Sequence, residues 1–233
     1  MSAVASPPIV LILGAGANVG AHVARAFAAK GYRVASTSRT FRDQETTSNG
    51  ELHLQSDLAH PESVAGIFAK VRDLLGPPSV VVYNAAASTP SPPQDPLSVP
   101  VPALGRDLNI NTVSALAAAH EAVLSFETLP ASASRTFIYT GNGLNIAPIP
   151  PLLSLGVGKS ATAHMIASAS VAYEDKGYRF YYADERTPDG SVVGRAIDGS
   201  AHAEFYVKLA ESETQGPWLA TFVKGKGYVK FQE

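Results

Sequence analysis

The run Ile9-Val-Leu-Ile-Leu13 leads without a break into Gly14-Ala-Gly-Ala-Asn-Val-Gly20, and a small-residue, helix-prone segment follows. The apolar run reads as a strand, and the glycines as a tight turn that opens a helix. Strand, glycine turn and helix start together make a place where backbone N–H groups and the positive helix end can hold a pyrophosphate. The glycines divide the work. Gly14 permits the turn, Gly16 lets the backbone approach the phosphates, and Gly20 lets the helix lie close to the strand. The glycine spacing taken alone allows a plain strand-helix turn as well.

Working outward, residues 21–30 read as the first helix, stopped by Gly31, and 32–37 as a second strand, completing one βαβ unit. A strand at 51–55, a helix at 61–75 with Pro61 at its first position, and a strand at 79–83 make the next unit. Six prolines fall between Pro90 and Pro102, which reads as an ordered surface loop within the domain, with a disordered linker as the other reading. Then come a long helix over 103–127, a strand at 135–140, a helix at 156–176 and a strand at 178–183. The rest is less regular: a polar loop over 184–200, a helix at 201–210 and a last strand at 219–223. Strand and helix alternate throughout. The expectation is a single-domain α/β fold over 9–233, a Rossmann-like, doubly wound parallel sheet in three α/β/α layers, preceded by a disordered segment 1–8, with its ligand at the carboxyl ends of the strands.

Composition bounds the function. The chain has 233 residues, 45% hydrophobic and 16% charged, enough for one large core. A net charge of −2 gives no case for nucleic acid or an anionic membrane as partner. The absence of cysteine excludes disulfides and thiol chemistry, and the opening Met1-Ser-Ala-Val-Ala-Ser-Pro-Pro8 is neither signal peptide nor membrane span. A cytoplasmic protein acting on a small molecule is the expectation. No His or carboxylate cluster has metal-ligand spacing, so no metal is expected.

The end of the second strand selects the dinucleotide. A NAD site places a carboxylate there for the ribose hydroxyls, but this chain reads Thr37-Ser-Arg-Thr40. Arg39 can pair with a 2′-phosphate and Ser38 can add a hydrogen bond, which favours NADP(H); a solvated loop arginine is the plainer reading. Asp57-Leu58 either meets the adenine or caps the turn before Pro61.

Taken together these residues resemble the short-chain dehydrogenase/reductase family over nearly the whole chain to about Ala183. Gly14-Ala-Gly-Ala-Asn-Val-Gly20 is similar to its glycine turn, with Asn18 near a motif glycine or basic residue and Val19 in the turn. Ser38-Arg39 looks like the NADP-preferring branch, and Asp57-Leu58 like the adenine-contacting pair. Tyr83-Asn-Ala-Ala86 resembles the Asn-Asn-Ala-Gly segment, which would make Asn84 its structural asparagine and put Ala85 beside the cofactor. Asn111 fits the helix asparagine better than Asn109 does. The resemblance also implies a homodimer or homotetramer packed through the helix at 156–176; ordinary packing on the sheet is the alternative.

The chemistry departs from the family pattern. Its reductases use Tyr four residues before Lys and Ser thirteen before the Tyr; here Lys159 is preceded by Leu155 and then by Asn142. No tyrosine lies between Tyr139 and Tyr173, and Tyr182-Ala-Asp-Glu-Arg186 stands where the family has Pro-Gly. Lys159 can hold the ribose, serve as general acid, or both. Asn142 can polarise a carbonyl oxygen or close an Asx-turn. Asp184 and Glu185 are candidate substrate-side acids or a solvated loop pair. His164, five residues after Lys159, points to a neighbouring helix or subunit, and His22 is packed or exposed. Three functional classes follow: an NADP(H)-dependent oxidoreductase whose proton donor has moved, a redox-neutral isomerase, lyase or cyclase on the same fold, and a non-catalytic NADP-binding redox sensor.

Overall fold

The computed structural model describes residues 6–231, so residues 1–5 of the segment expected to be disordered, and 232–233, lie outside the described residues. In chain order the first half comprises β1 (Ile9–Leu13), α1 (Val19–Ala29), β2 (Arg33–Ser38), β3 (Glu45–Thr46), β4 (Leu52–Gln55), α2 (Val64–Leu74), β5 (Val80–Tyr83) and α3 (Val101–Leu108). A π-helical turn, Asn109–Val113, joins α3 to α4 (Ser114–Glu127). β6 (Thr136–Thr140), α5 (Leu153–Ala172), β7 (Arg179–Arg186), α6 (Gly199–Glu211), β8 (Leu219–Val223) and β9 (Gly227–Tyr228) complete the chain.

The sheet runs β3-β4-β2-β1-β5-β6-β7-β8-β9. Its seven inner strands are parallel, while β3 and β9 pair antiparallel and cover the two edges. Strand order reverses between β1 and β5, so the crevice opens where Leu13 aligns with Thr37 on one side and Tyr83 on the other. The sheet is buried on both faces. Leu11, Leu13 and Tyr83 point towards α2, α4 and α5, and Val10, Ile12 and Val82 towards α1 and α6. This explains why the central strands read as continuous apolar runs.

Two expectations are corrected. The helix expected from residue 103 begins at Val101, with Pro102 in its first turn, where a missing N–H costs nothing. The strand expected to end at Ala183 continues to Arg186, and Asp184, Glu185 and Arg186 are buried strand residues rather than the start of a solvated loop. Their partners are brought in part by α6 and the following loops: Gly190 accepts from Arg186, the Asp198 N–H donates to Glu185, and His202 lies beside Glu185. Propensity read along the chain cannot show such partners.

Candidate functional site

Gly14 has φ +95°, and a Cβ there would stand 2.6 Å from Ala85 N, so only glycine lets the end of β5 close on the turn. A Cβ at Gly20 would meet Ala15 Cα at 2.6 Å, which seats the start of α1 against the turn itself. Gly16 has nothing within 4 Å of a built Cβ and faces open space. Around this turn lies a groove of about 500 Å³ lined by residues 14–16, 37–39, 56–59 and 84–88, with Arg106 and Ile110 as its further wall.

The groove gathers Gly14, Gly16, Ser38, Arg39, Asp57, Leu58, Asn84 and Ala85 from four separate places in the chain. Asp57 Oδ1 accepts from Ala59 N at 3.0 Å, so it closes its own turn while lining the groove. Asn84 Nδ2 donates to the Gly14 carbonyl at 2.8 Å and braces β5 against the glycine turn. Asn18, Val19 and Gly20 stand outside the lining. Asn18 sits at the start of α1, but its side chain donates to Ile197 O at 2.9 Å and accepts from Gly199 N at 3.0 Å. It makes no capping bond to α1. The first turn of α1 therefore has no side-chain cap.

Asn111 is fully buried in the π-helical turn. Its Oδ1 accepts from Ala87 N at 2.9 Å and its Nδ2 donates to Ala87 O at 2.8 Å, a two-bond clamp on the groove wall. Its own carbonyl accepts from the hydroxyls of Tyr139 at 2.9 Å and Thr162 at 2.8 Å. Asn111 thus shapes the site without touching the groove.

Lys159 is 3% exposed and its ammonium donates to Thr140 O at 2.7 Å, 4.4 Å from the centre of the Tyr139 ring. Burial pushes it down to about 7, with the Asp184 carboxylate working in the opposite direction. Asp184 receives Arg186 Nε at 2.6 Å on one oxygen. Burial pushes its carboxyl up to about 6 against the pull of Arg186 and Lys159. Glu185, one residue on, projects through the opposite face of the sheet, where it accepts from Asp198 N at 2.8 Å and lies 3.4 Å from His202 Nδ1. The two acids therefore do not form one acidic pair. Neither they nor Lys159, Asn111 and Asn142 line the groove.

Asn142 Oδ1 accepts from Leu144 N at 3.1 Å, the Asx-turn alternative, and its backbone carbonyl receives the Tyr182 hydroxyl at 2.8 Å. His164 is exposed on α5, while His22 Nδ1 lies 2.9 Å from Asn18 O. Among the described residues no group of three or more His, Asp or Glu is placed to hold a metal ion, and no helix is long and apolar enough to cross a membrane.

A network at the groove rim has no clear signal in the sequence. Arg106 lines the groove and pairs with Asp107 at 2.7 Å, and Asp107 accepts from Ser154 Oγ at 2.8 Å. Burial raises the Asp107 carboxyl, but Arg106, Ser154 and Thr89 outweigh it and hold it below its usual range. The only signal was Arg106-Asp107 within an otherwise apolar helix start and Ser154 beside Leu155. Neither residue type is unusual there.

Comparison with known proteins follows the same lines. The family model described as Enoyl-(Acyl carrier protein) reductase matches residues 14–182. A short chain dehydrogenase/reductase of Cryptosporiopsis sp. (strain 8999) is 52% identical over 97% of this chain and 96% of its own. Among solved structures, a metagenomic short-chain oxidoreductase in complex with NADP is 17% identical, with a TM-score of 0.75, covering 93% of this chain and 97% of that one. The 3-oxoacyl-[acyl-carrier protein] reductase of Brucella melitensis in complex with NAD is 16% identical, with a TM-score of 0.75, covering 89% and 91%. With its glycine turn at the strand-order reversal and a half-identical relative along almost its whole length, the chain belongs to the short-chain dehydrogenase/reductase family.

Proposed function

We propose that this protein is an NADP(H)-dependent oxidoreductase acting on a small organic substrate, with a proton donor other than a tyrosine of α5. The observation that carries the reading is the presence of Arg39 and Ser38 in one groove with the glycine turn, where β2 ends without a carboxylate. The relatives hold NADP in one case and NAD in another, so the charge at position 39, rather than the fold, supports the choice.

The residues present fit such a group. Gly16 leaves open backbone, the first turn of α1 has no side-chain cap, and the hydroxyls of Ser56 and Ser88, both in the groove lining, have no partner among the described residues. Arg39 and Ser38 would hold the 2′-phosphate, the backbone at Gly16 and the start of α1 the pyrophosphate, and Asp57 and Leu58 would border the adenine. Asn84 and Ala85 would flank the far end. When bound, the nicotinamide supplies or accepts hydride.

The proton comes from another acid of the chain or from water. Leu155 has none to give. Of the two titratable side chains on α5, His164 is exposed and Lys159 is buried over β6 and brought near neutrality by that burial. We assign the proton to Lys159, whose ammonium sits at the carboxyl end of β6, 2.7 Å from Thr140 O, and is lowered towards neutrality by burial.

Calorimetric titration with NADPH and NADH, on the native chain and on Arg39→Ala, tests the cofactor assignment. NADPH binds more tightly to the native chain, and the substitution lowers that affinity by about ten- to a hundredfold while leaving NADH unchanged. Equal affinities that the substitution does not move would overturn it.

A further inference from the structure

A second cavity, of about 1180 Å³, lies apart from the groove and shares no lining residue with it. Leu219 and Thr221 of β8 line it, Trp218, Tyr228 and Phe231 give it aromatic surface, and Arg186 and Lys230 supply positive charge. Arg186 is 6% exposed. Its Nε is taken by Asp184 and its Nη1 by Gly190 O at 3.0 Å, while Nη2, itself buried beside Gly143, has no partner among the described residues. The acid in the lining, Asp189, is already engaged by Thr187 and Ser191 within its own turn.

The charges behind this wall do not balance. Among the described residues, two buried cations, Lys159 and Arg186, act on the buried carboxylate of Asp184, whose Oδ1 has no hydrogen-bond partner; Asp107 is paired with Arg106, and Glu185 projects through the other face. A buried cation with an unused donor, left in excess of its counter-charge, favours an added anion. The aromatic side chains beside it favour a flat, unsaturated body.

We propose that this cavity binds a planar aromatic molecule carrying a carboxylate or phenolate, its anionic group directed to Arg186 and its ring against Trp218 and Tyr228. The site does not depend on the dinucleotide reading.

Trp218 is the only tryptophan in the chain, so its fluorescence reports on occupancy directly. Titration of the full chain with 4-nitrobenzoate gives saturable quenching, corrected for probe absorbance, and 4-nitrobenzamide, which lacks the charge, binds about tenfold more weakly. Arg186→Gln removes that preference. Should it fail to fold, Tyr228→Ala, at a half-exposed wall position, weakens both probes by about two- to tenfold. Quenching that stays linear without saturating, equal affinity for acid and amide, or no effect of Tyr228→Ala would overturn the proposal. So would a titration that shifts with Arg39→Ala, which would put the probe in the dinucleotide groove.

Discussion

The hydroxyl of Tyr139 donates to the backbone carbonyl of Asn111 at 2.9 Å, tying the centre of the sheet to the π-helical turn between α3 and α4. One strand over, Tyr83 donates to the preceding carbonyl, Ile110 O, at 2.5 Å. Tyr83, Tyr139 and Tyr182 align across β5, β6 and β7, with ring centres 5.7 and 5.6 Å apart. A π-turn breaks the regular helical hydrogen-bond ladder, and the tyrosines give two of its carbonyls partners. That fixes where the Asn111 side chain points, and Asn111 in turn clamps Ala87 in the groove wall.

Removing the two ends of this chain of contacts should have unequal effects. Tyr139→Phe leaves Thr162 bonded to Asn111 O, so the expected cost is about 1 kcal/mol. Asn111→Ala strips both partners from the backbone of Ala87 and should cost about 2–4 kcal/mol. Urea unfolding checks the stabilities, and NADPH titration should show the larger loss of affinity for Asn111→Ala. Equal effects of the two substitutions would contradict the clamp.

The glycine turn separates folding from binding. Gly14→Ala forces a Cβ against Ala85 N at 2.6 Å in a left-handed backbone, so a destabilisation of about 2 kcal/mol or more is expected. Gly16→Ala meets nothing within 4 Å, so its melting temperature should stay near the native value while dinucleotide affinity falls. Thermal melts beside calorimetry on both variants would show it. A Gly16→Ala protein that binds normally would remove Gly16 from the phosphate site.

Much of this architecture could be read in advance because its signals are local. The apolar runs at β1 and β5, the glycines between β1 and α1, and Arg39 at the end of β2 each occupy a few consecutive residues whose geometry hardly depends on the rest of the chain. Asp184-Glu-Arg186 reads as loop for the opposite reason. Charged residues are rarely buried unless paired, and their partners, Lys159, Gly190, Asp198 and His202, are supplied by other elements. The π-turn was hidden too. Within the long helical run over 101–127, one widened turn leaves the broad apolar pattern unchanged, and its stabilising tyrosines lie on distant strands.

Gly158 shows how closely α5 approaches that turn. A Cβ there would stand 2.6 Å from Asn111 Cβ, both residues being buried. Gly158→Ala should therefore cost about 1–3 kcal/mol by overpacking, despite alanine's better helix propensity. Gly156→Ala on the same helix meets only Leu144 atoms at 3.8 Å or more and serves as the control, expected to be neutral or stabilising. Chemical denaturation of the pair is sufficient. Equal stability changes would mean that the turn gives way without cost.

The buried charges predict an unusual pH profile. Lys159 has its folded value near 7, below its ordinary 10.5, so between those values the unfolded chain binds more protons and stability rises with pH. Asp184 has its folded value near 6, above its ordinary 3.8, so between those values the folded chain binds more protons and stability falls as pH rises. Both costs are in place together between about pH 6 and 7, which makes that interval a local minimum in this cluster's contribution. Lys159→Met deletes the first cost. The native chain should gain roughly 2 kcal/mol relative to Lys159→Met on going from about pH 7 to about pH 9, read from urea unfolding at each pH. Parallel pH profiles for the two proteins would show that the Lys159 ammonium is not held near neutrality, and would remove it as the source of the proton.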